Sequence, residues 1–233
     1  MKNYLFIGVL LCLFQPAIAQ RIVEKTFPSG KIKKVKLDLK MAQLITVTTW
    51  EQDEVYFKAS IDLNNGKLDD SLKLSFEKNN DLLFISSKVD VKFNNWISKE
   101  TFDKWQKENK PFYWDDKENF VVAELLYELK IPKNTILEIA SINADVELRG
   151  VSSVAKVKTI NGFVDMDWLE KAGADISLKT INGEVYSDMD ISFPNFKKYP
   201  IVGYELQGKY KQGGTKLQLE TINGDIFFRK AKN

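Results

Sequence analysis

Four aspartates in the C-terminal half of the chain have a residue type and spacing that could support acid–base or metal chemistry. Asp165 and Asp167 lie two positions apart, as do Asp188 and Asp190. In an extended strand, residues at this spacing point to one side. Two carboxylates at a suitable separation act as acid and base in glycoside hydrolysis, and clustered carboxylates bind Ca²⁺. No histidine or obvious buried partner accompanies them, so we expect a solvated polar face in preference to a catalytic or cation site.

The composition excludes most other catalytic chemistry. The 233 residues include no histidine and one cysteine, Cys12. Triads that rely on histidine or a thiol are therefore excluded, and zinc and copper sites are disfavoured. We predict that the chain is not an enzyme and that it carries no cofactor and no metal ion.

An aromatic-rich segment, residues 95–118, is the strongest candidate for a binding site. It holds three of the five tryptophans, and Ser98 could cap a short helix over 99–107. Aromatic side chains dominate the energetics of many interfaces and offer flat faces to sugar rings. The alternative is that these rings cover an open end of the β-structure, where unpaired strand edges invite aggregation. The candidate binding residues are Trp96, Trp105, Phe112, Tyr113 and Trp114.

The elements that must position such residues are marked by a repeat. A four-residue motif, Ser/Thr-Ile-Asn-Gly/Ala, occurs four times, and its asparagines are 18, 21 and 41 residues apart. The last gap is close to two periods, so it holds either a repeat without the motif or an inserted loop. The four copies are Ser141–Ala144, Thr159–Gly162, Thr180–Gly183 and Thr221–Gly224.

Apolar side chains recur at every second position on both sides of each motif. Around the second copy, Val157 precedes the asparagine, and Val164 and Met166 follow it. This pattern predicts a strand, a corner and a second strand. Hairpins of a sandwich explain a single Asn-Gly pair, but not columns that recur about every 20 residues. We therefore predict an all-β fold, a single-stranded β-helix or β-solenoid with coils of about 20 residues.

Equivalent residues of such coils lie about 4.8 Å apart, so each repeated position becomes a column. The asparagines are expected to form a ladder of side-chain amides in chain order, and the threonines to pack their methyl groups inward. The isoleucines of the motif are expected to be covered or turned inward. The predicted ladder residues are Asn143, Asn161, Asn182 and Asn223 with Thr159, Thr180 and Thr221.

An outward column six residues after each asparagine carries one charged residue from each copy, in the order positive, negative, negative, positive. In chain order it contains two aspartates side by side. These would repel each other unless solvent screening or a bound cation intervened. The column consists of Arg149, Asp167, Asp188 and Arg229.

Residues 1–19 have the features of a cleavable signal peptide. They combine Lys2, an apolar run and a small-residue site at 17–19. We predict export to the periplasm, the cell surface or the extracellular space. Residues 20–233 are predicted to form one domain, with irregular coils over 20–134, interrupted by the 95–118 segment, and regular coils over 135–233. Alternation predicts the upstream strands 33–39, 44–49, 55–63, 71–76, 82–87 and 121–131.

The charge of the chain narrows the class of partner. The formal net charge is +2, with 34 basic and 32 acidic residues. Such a balance predicts no pull toward nucleic acid. No second apolar segment long enough to span a membrane follows the first 19 residues.

The motifs together resemble the bacterial putative adhesin domain, a family of unknown function. Besides the repeated Thr-Ile-Asn-Gly corners, Thr49–Val55 is similar to the family's early W-x-x-D-x-V turn, and Gly208–Leu217 to the lead into its last coil. The resemblance implies a secreted or envelope β-solenoid with an adhesive role and supplies no catalytic residues. The chain departs from the family at Ala144 and in the 95–118 segment.

The sequence thus predicts an exported, non-catalytic binding or scaffolding module of the cell envelope, whose partner is a protein or a glycan. Two alternatives remain open. One is a carbohydrate-active enzyme, a polysaccharide lyase or hydrolase, on a solenoid. The other is a structural or envelope-stress-associated protein without a ligand site.

Overall fold

The computed structural model describes residues 20–90, 100, 103–104, 107, 112–114, 120–194 and 203–231. The signal peptide predicted for residues 1–19 lies outside these ranges. Within them, no helix combines the length and the apolar character needed to cross a membrane. The four described residues of the predicted short helix are all helical: Glu100, Asp103, Lys104 and Lys107.

Strands dominate the described chain, as the alternating patterns predict. In order they are β1 (Arg21–Pro28), β2 (Lys34–Leu39), β3 (Met41–Trp50), β4 (Glu54–Leu63), β5 (Leu72–Asn79), β6 (Leu82–Val89), β7 (Phe112–Trp114), β8 (Phe120–Pro132), β9 (Ile136–Ala140), β10 (Asn143–Arg149), β11 (Ala155–Lys158), β12 (Val164–Trp168), β13 (Ala174–Lys179), β14 (Val185–Ser187), β15 (Ile191–Ser192), β16 (Leu206–Tyr210), β17 (Thr215–Glu220) and β18 (Ile226–Lys230). The all-β class is confirmed, and each of the six upstream strands predicted from alternation overlaps an observed strand.

The strands form two mixed sheets that enclose one hydrophobic core. The first sheet has the order β1-β4-β8-β3-β10-β12-β18-β14, with β7 paired to β8. The second has the order β15-β16-β13-β17-β11-β9-β2-β6-β5. The two sheets, packed face to face, give the molecule the outline of a β-sandwich. In β2, for example, Val35, Leu37 and Leu39 are fully buried while the residues between them face outward, since side chains alternate along a strand.

Each copy of the repeated motif carries the chain from the second sheet to the first. The motif joins β9 to β10, β11 to β12, β13 to β14 and β17 to β18. Equivalent strands pair in parallel and in register, so that Val164 lies beside Val146 on one side and Ile226 on the other. Each repeat therefore contributes one strand to each sheet.

The spatial order of the repeats differs from the chain order that the sequence predicts. The asparagine of the fourth copy pairs with those of both the second and the third, so the order is Asn143, Asn161, Asn223, Asn182. The long gap before the fourth copy explains this difference. In that gap β16 runs antiparallel along one edge of β13, and β17 then pairs between β13 and β11.

The four asparagines share one unbroken line of side-chain hydrogen bonds. Asn161 Nδ2 donates to Asn143 Oδ1 at 2.6 Å, Asn223 Nδ2 to Asn161 Oδ1 at 2.7 Å, and Asn182 Nδ2 to Asn223 Oδ1 at 2.7 Å. Every amide donates in the same direction along the column. Such a chain of bonds fixes the register of neighbouring strands, because a slip of one residue would break every link.

The serine or threonine two residues before each asparagine donates a hydrogen bond to a backbone carbonyl at the corner. Thr159 and Thr221 are fully buried. The hydroxyl of Thr221 donates to the carbonyl of Gly162 at 2.8 Å, and that of Thr180 donates to Gly224 at 2.8 Å. Each of these two hydroxyls thus satisfies a carbonyl in the neighbouring repeat.

Tyr127 on β8 gives the fold a measurable dependence on alkaline pH. The residue is 2% exposed, its ring lies 5.9 Å from that of Phe57, and burial raises the pKa of its hydroxyl from 10.0 to about 12. The folded state therefore resists ionisation that the unfolded chain allows. The stability tied to this group is complete below pH 10 and is lost as the pH rises from 10 toward 12.

We expect Tyr127→Phe to flatten this alkaline decline. Two pKa units correspond to about 2–3 kcal/mol, so near pH 12 the variant should retain roughly that much of the free energy of unfolding that the parent chain loses. The measurement is urea denaturation at pH values from 8 to about 12, as far as the unfolding stays reversible. Equal pH slopes for the two chains would contradict the assignment.

Candidate functional site

The aromatic residues proposed from the sequence lie largely beyond the described chain. Trp96 and Trp105 fall outside the described ranges. Phe112, Tyr113 and Trp114 form β7, which pairs antiparallel with the beginning of β8. The 95–118 segment therefore stays a prediction as a binding site.

Asp165 and Asp167 lie on the outer face of the first sheet, where two arginines hold Asp165. Asp165 has only 8% of its side chain exposed and lies between Arg149 and Arg229. Arg149 Nη2 is 2.6 Å from Asp165 Oδ2, and Arg229 Nε donates to Oδ1 at 3.0 Å while its Nη2 also contacts Oδ2. Both oxygens thus accept charge-assisted hydrogen bonds. Neither is left to take a proton from a substrate.

The other carboxylates of the charged column are used by the backbone. Asp167 Oδ1 accepts a hydrogen bond from the Gly150 amide at 2.7 Å, and Asp188 Oδ1 accepts one from the Lys230 amide at 2.8 Å. Each carboxylate therefore reinforces a strand end. Asp190, the fourth aspartate, is exposed just before β15.

The predicted repulsion between Asp167 and Asp188 is wrong, because the repeats are not stacked in chain order. Arg229 pairs in register with Asp167, and the third copy lies on its other side. The column therefore alternates in sign, and it needs no cation between the two aspartates. In the described part of the chain, no group of three or more acidic, histidine or cysteine side chains is placed to hold a metal ion.

A row of aromatic rings continues this face toward the end of the first sheet. Tyr186 on β14 stacks on Phe227 of β18, with ring centroids 5.2 Å apart and planes 12° apart. Phe163 meets the same Phe227 edge-on at 6.2 Å, and the guanidinium of Arg229 lies 5.8 Å from the centre of Phe227. Tyr186 is 45% exposed at the last strand of the sheet. We call Phe163, Phe227, Tyr186, Arg149 and Arg229 the aromatic–arginine patch.

Tyr186 is oriented by its neighbour in the strand. Its hydroxyl donates to Glu184 Oε2 at 2.9 Å, and this hydrogen bond raises the pKa of the tyrosine. The hydrogen bond therefore holds the tyrosine hydroxyl in place while the ring stays partly exposed at the sheet edge. Sequence reasoning missed this row, because Phe163 and Phe227 become neighbours only in the observed order of repeats.

The isoleucines of the repeated motif also face outward, contrary to the expectation that they are covered. Ile142 and Ile181 are 39% and 38% exposed, and Ile160 and Ile222 are half-buried. Gly203, in the connection between β15 and β16, lies close to Ile181. The outer surface along the four corners is therefore partly apolar.

Comparison with known proteins gives a fold likeness without a sequence family. No protein-family model and no curated protein sequence matches this chain. Among solved structures, it resembles a "putative cell adhesion protein" from Clostridium sporogenes, with a TM-score of 0.56 and 11% identity over 91% of this chain and 99% of that one. This likeness shows a shared overall fold.

Two further solved structures align over a similar share of the chain at lower scores. Both are described as a "putative adhesin". The one from Bacteroides fragilis has a TM-score of 0.26 and 10% identity, covering 91% of this chain and 98% of that one. The one from Parabacteroides merdae has a TM-score of 0.26 and 8% identity, covering 91% and 97%.

Proposed function

We propose that the chain is an exported, non-catalytic, adhesin-like binding or scaffolding module of the cell envelope, whose repeat-bearing part winds as a β-solenoid. The observation that carries this proposal is the aromatic–arginine patch. It presents an exposed aromatic edge and two arginines on strands whose register is fixed by the asparagine column.

The solenoid winding is supported by the way the repeats pair. Parallel neighbours in register, one strand per sheet in each repeat, and a shared corner are what coils stacked about 4.8 Å apart produce. β2 and β3 pair in parallel with β9 and β10, so the same stacking extends upstream of the motif-bearing repeats. A scaffold of this kind keeps its outer side chains in place without a disulfide.

The non-catalytic part of the proposal rests on how the carboxylates are used. Asp165 is bridged by two arginines, and Asp167 accepts a backbone amide. With no histidine in the chain, the usual general base is missing as well. The adhesive role is supported by the fold shared with the Clostridium protein, whose name describes cell adhesion.

Tyrosine and arginine are the residue types that concentrate binding energy at interfaces. A tyrosine at a sheet edge, held by a hydrogen bond at its hydroxyl, loses little conformational freedom on binding. We therefore assign the main contact to Tyr186, with Arg229 beside it.

The test is binding of the labelled, exported chain to bacterial cells, to envelope fractions and to a glycan array. We expect Tyr186→Ala to weaken binding at least fivefold, since truncating a central interface tyrosine commonly costs more than about 1 kcal/mol. Tyr56→Ala is the matched control: Tyr56 is an outward tyrosine of β4, on the same sheet but far from the patch.

The same assay separates the rival sites and functions. If Trp105→Ala or Trp114→Ala removes binding and Tyr186→Ala does not, the binding site belongs to the 95–118 segment. Release of reducing ends or unsaturated products from polysaccharides by the purified chain would overturn the non-catalytic assignment. Export predicts that the chain recovered outside the cytoplasm begins at Gln20.

A further inference from the structure

The outer face of the second sheet carries a cleft that the proposed function has not used. Strands β16, β13, β17 and β11 form its floor, and part of its wall is formed by Ser192 at the end of β15 and by Pro194. Its volume is about 720 Å³. Clefts of roughly 300–1,000 Å³ are the usual size for small-molecule and saccharide sites. The cleft lies on the opposite sheet from the aromatic–arginine patch.

The acidic side chains of the cleft already have partners. Glu138 Oε1 lies 2.7 Å from Lys34 Nζ, and Asp175 Oδ2 accepts the Gly214 amide at 3.2 Å. The hydroxyl of Ser177 donates to Glu205. These carboxylates are therefore engaged within the fold and contribute little to the binding of a cation.

The lysines of the cleft have no ion-pair partner among the described residues. Lys156, Lys209 and Lys216 line it, and none forms an ion pair with another side chain in the described chain. By comparison, Lys158, two residues after Lys156 on the same face of β11, pairs with Glu220 at 3.2 Å. The cleft thus presents three uncommitted ammonium groups, which favours an anionic ligand.

The spacing of these lysines points to a ligand with repeated charges. Lys209 and Lys216 flank Asp175 in one register row, on strands on either side of β13. Lys156 lies on the strand beyond β17, in the next row. At about 4.8 Å between neighbouring strands, the strands that carry the three lysines span roughly 14 Å across the cleft. A single small anion would reach one of them, whereas an oligomer would reach all three.

The remaining lining suits a sugar. Gln218 adds an amide beside Ser177, and Val154 and Pro194 add apolar surface, with Val154 40% exposed. Amide and ammonium donors beside small apolar surfaces match hydroxyl groups and ring C–H faces. The floor is a sheet face whose backbone groups are already paired between strands. A peptide backbone could not be satisfied there by strand addition.

We propose that this cleft binds a carboxylate-bearing oligosaccharide, with Lys156, Lys209 and Lys216 contacting successive carboxylates. This inference rests on the proposed function as a binding module and names a ligand class for a second site on it. The two sites lie on different sheets, so they can be tested separately.

The experiment is titration calorimetry of the full exported chain with three probes: tetramers of galacturonate, mannuronate and α2,8-linked sialate. At least one should bind, and binding should weaken as ionic strength rises. Lys209→Gln and Lys216→Gln should each weaken it at least fivefold, and Lys156→Gln should weaken it as well. Lys158→Gln is the matched control and should leave the dissociation constant within twofold of the parent. The methyl-esterified galacturonate tetramer should not bind.

Failure of all three probes would overturn the proposal. So would equal binding of the methyl ester, or an equal loss in Lys158→Gln, which would indicate non-specific charge attraction. A glutamate hexapeptide that binds as tightly and competes with the sugar would assign the cleft to acidic peptides instead. None of these results depends on Tyr186, so loss of the cleft proposal leaves the test of the proposed function intact.

Discussion

Replacing Gly162 by alanine is expected to lower the free energy of unfolding by about 3–5 kcal/mol. Gly162 has φ +138°, a conformation that L side chains rarely adopt, and a Cβ there would lie 2.1 Å from the carbonyl oxygen of Ala144 in the adjacent repeat. The obstacle is backbone, which cannot move aside without breaking the asparagine column. Strain and overpacking each cost about 1–3 kcal/mol, and here they act together. Urea denaturation followed by circular dichroism measures the change.

Ala144→Gly is the matched control at the equivalent position of the first repeat. There the neighbouring strand β3 has two residues opposite one, because the register skips between Asn143 and Asp145. Unlike Gly162, Ala144 does not have a positive φ, so the backbone of this copy accepts a side chain. We expect the control to cost about 1 kcal/mol or less, through backbone entropy and the lost methyl group. Comparable losses at the two positions would contradict this account.

The strands were predictable because their signal is local. In β2 and β4 every second residue is buried, and the alternation of apolar and polar residues can be seen within each strand alone. The corners were predictable for the same reason, since the four-residue motif recurs with its apolar flanks. The packing of two sheets against each other was not predicted, because the regular recurrence of the motif favoured the coils of a solenoid over a sandwich.

The order of the repeats was not predictable from the motif, because all four copies offer nearly the same corner to a neighbour. The residues of one strand do not show which other strand it pairs with in parallel. The charges of the outward column do distinguish the possible orders. Their signs alternate only in a stack that separates Asp167 from Asp188, and Arg229 of the fourth copy lies between these two aspartates. Cross-strand charge pairing, used as a constraint, would have favoured the observed order.

The same misplaced order hid the candidate site. Phe163 and Phe227 belong to the second and fourth copies, and they become neighbours only because the fourth copy lies beside the second. The cleft on the second sheet depends on β16, whose antiparallel pairing with β13 has no signal in the repeat. Sites formed by the irregular parts of a repeated fold are thus the hardest to derive from the repeat itself.

Replacing Asp165 by alanine should destabilise the fold by about 2–3 kcal/mol, because the carboxylate holds two arginines from two other repeats. Arg149 and Arg229 would be left close together without their shared counter-charge. Removing one partner of a buried pair costs about 3–5 kcal/mol. The arginine side chains are 30% and 48% exposed, so solvent screens them and the expected loss is smaller. Chemical denaturation at low and high salt measures it, and high salt should reduce the difference.

The decisive comparison restores charge balance without restoring the carboxylate. In the triple variant Asp165→Ala, Arg149→Met and Arg229→Met, the two arginines no longer lie together without their shared counter-charge. Glu147, which lies 3.3 Å from Arg149 in the parent chain, is 32% exposed and is left to solvent, so most of the stability should return. Glu170→Ala is a surface control, since Glu170 meets Lys230 at 3.5 Å with 64% of its side chain exposed, and it should change stability by less than about 0.5 kcal/mol. If the triple variant is no more stable than Asp165→Ala, the cost lies in lost packing and not in the arginines. Asp165 would then stabilise the sheet face by packing and not by its ion pairs with arginines of two other repeats.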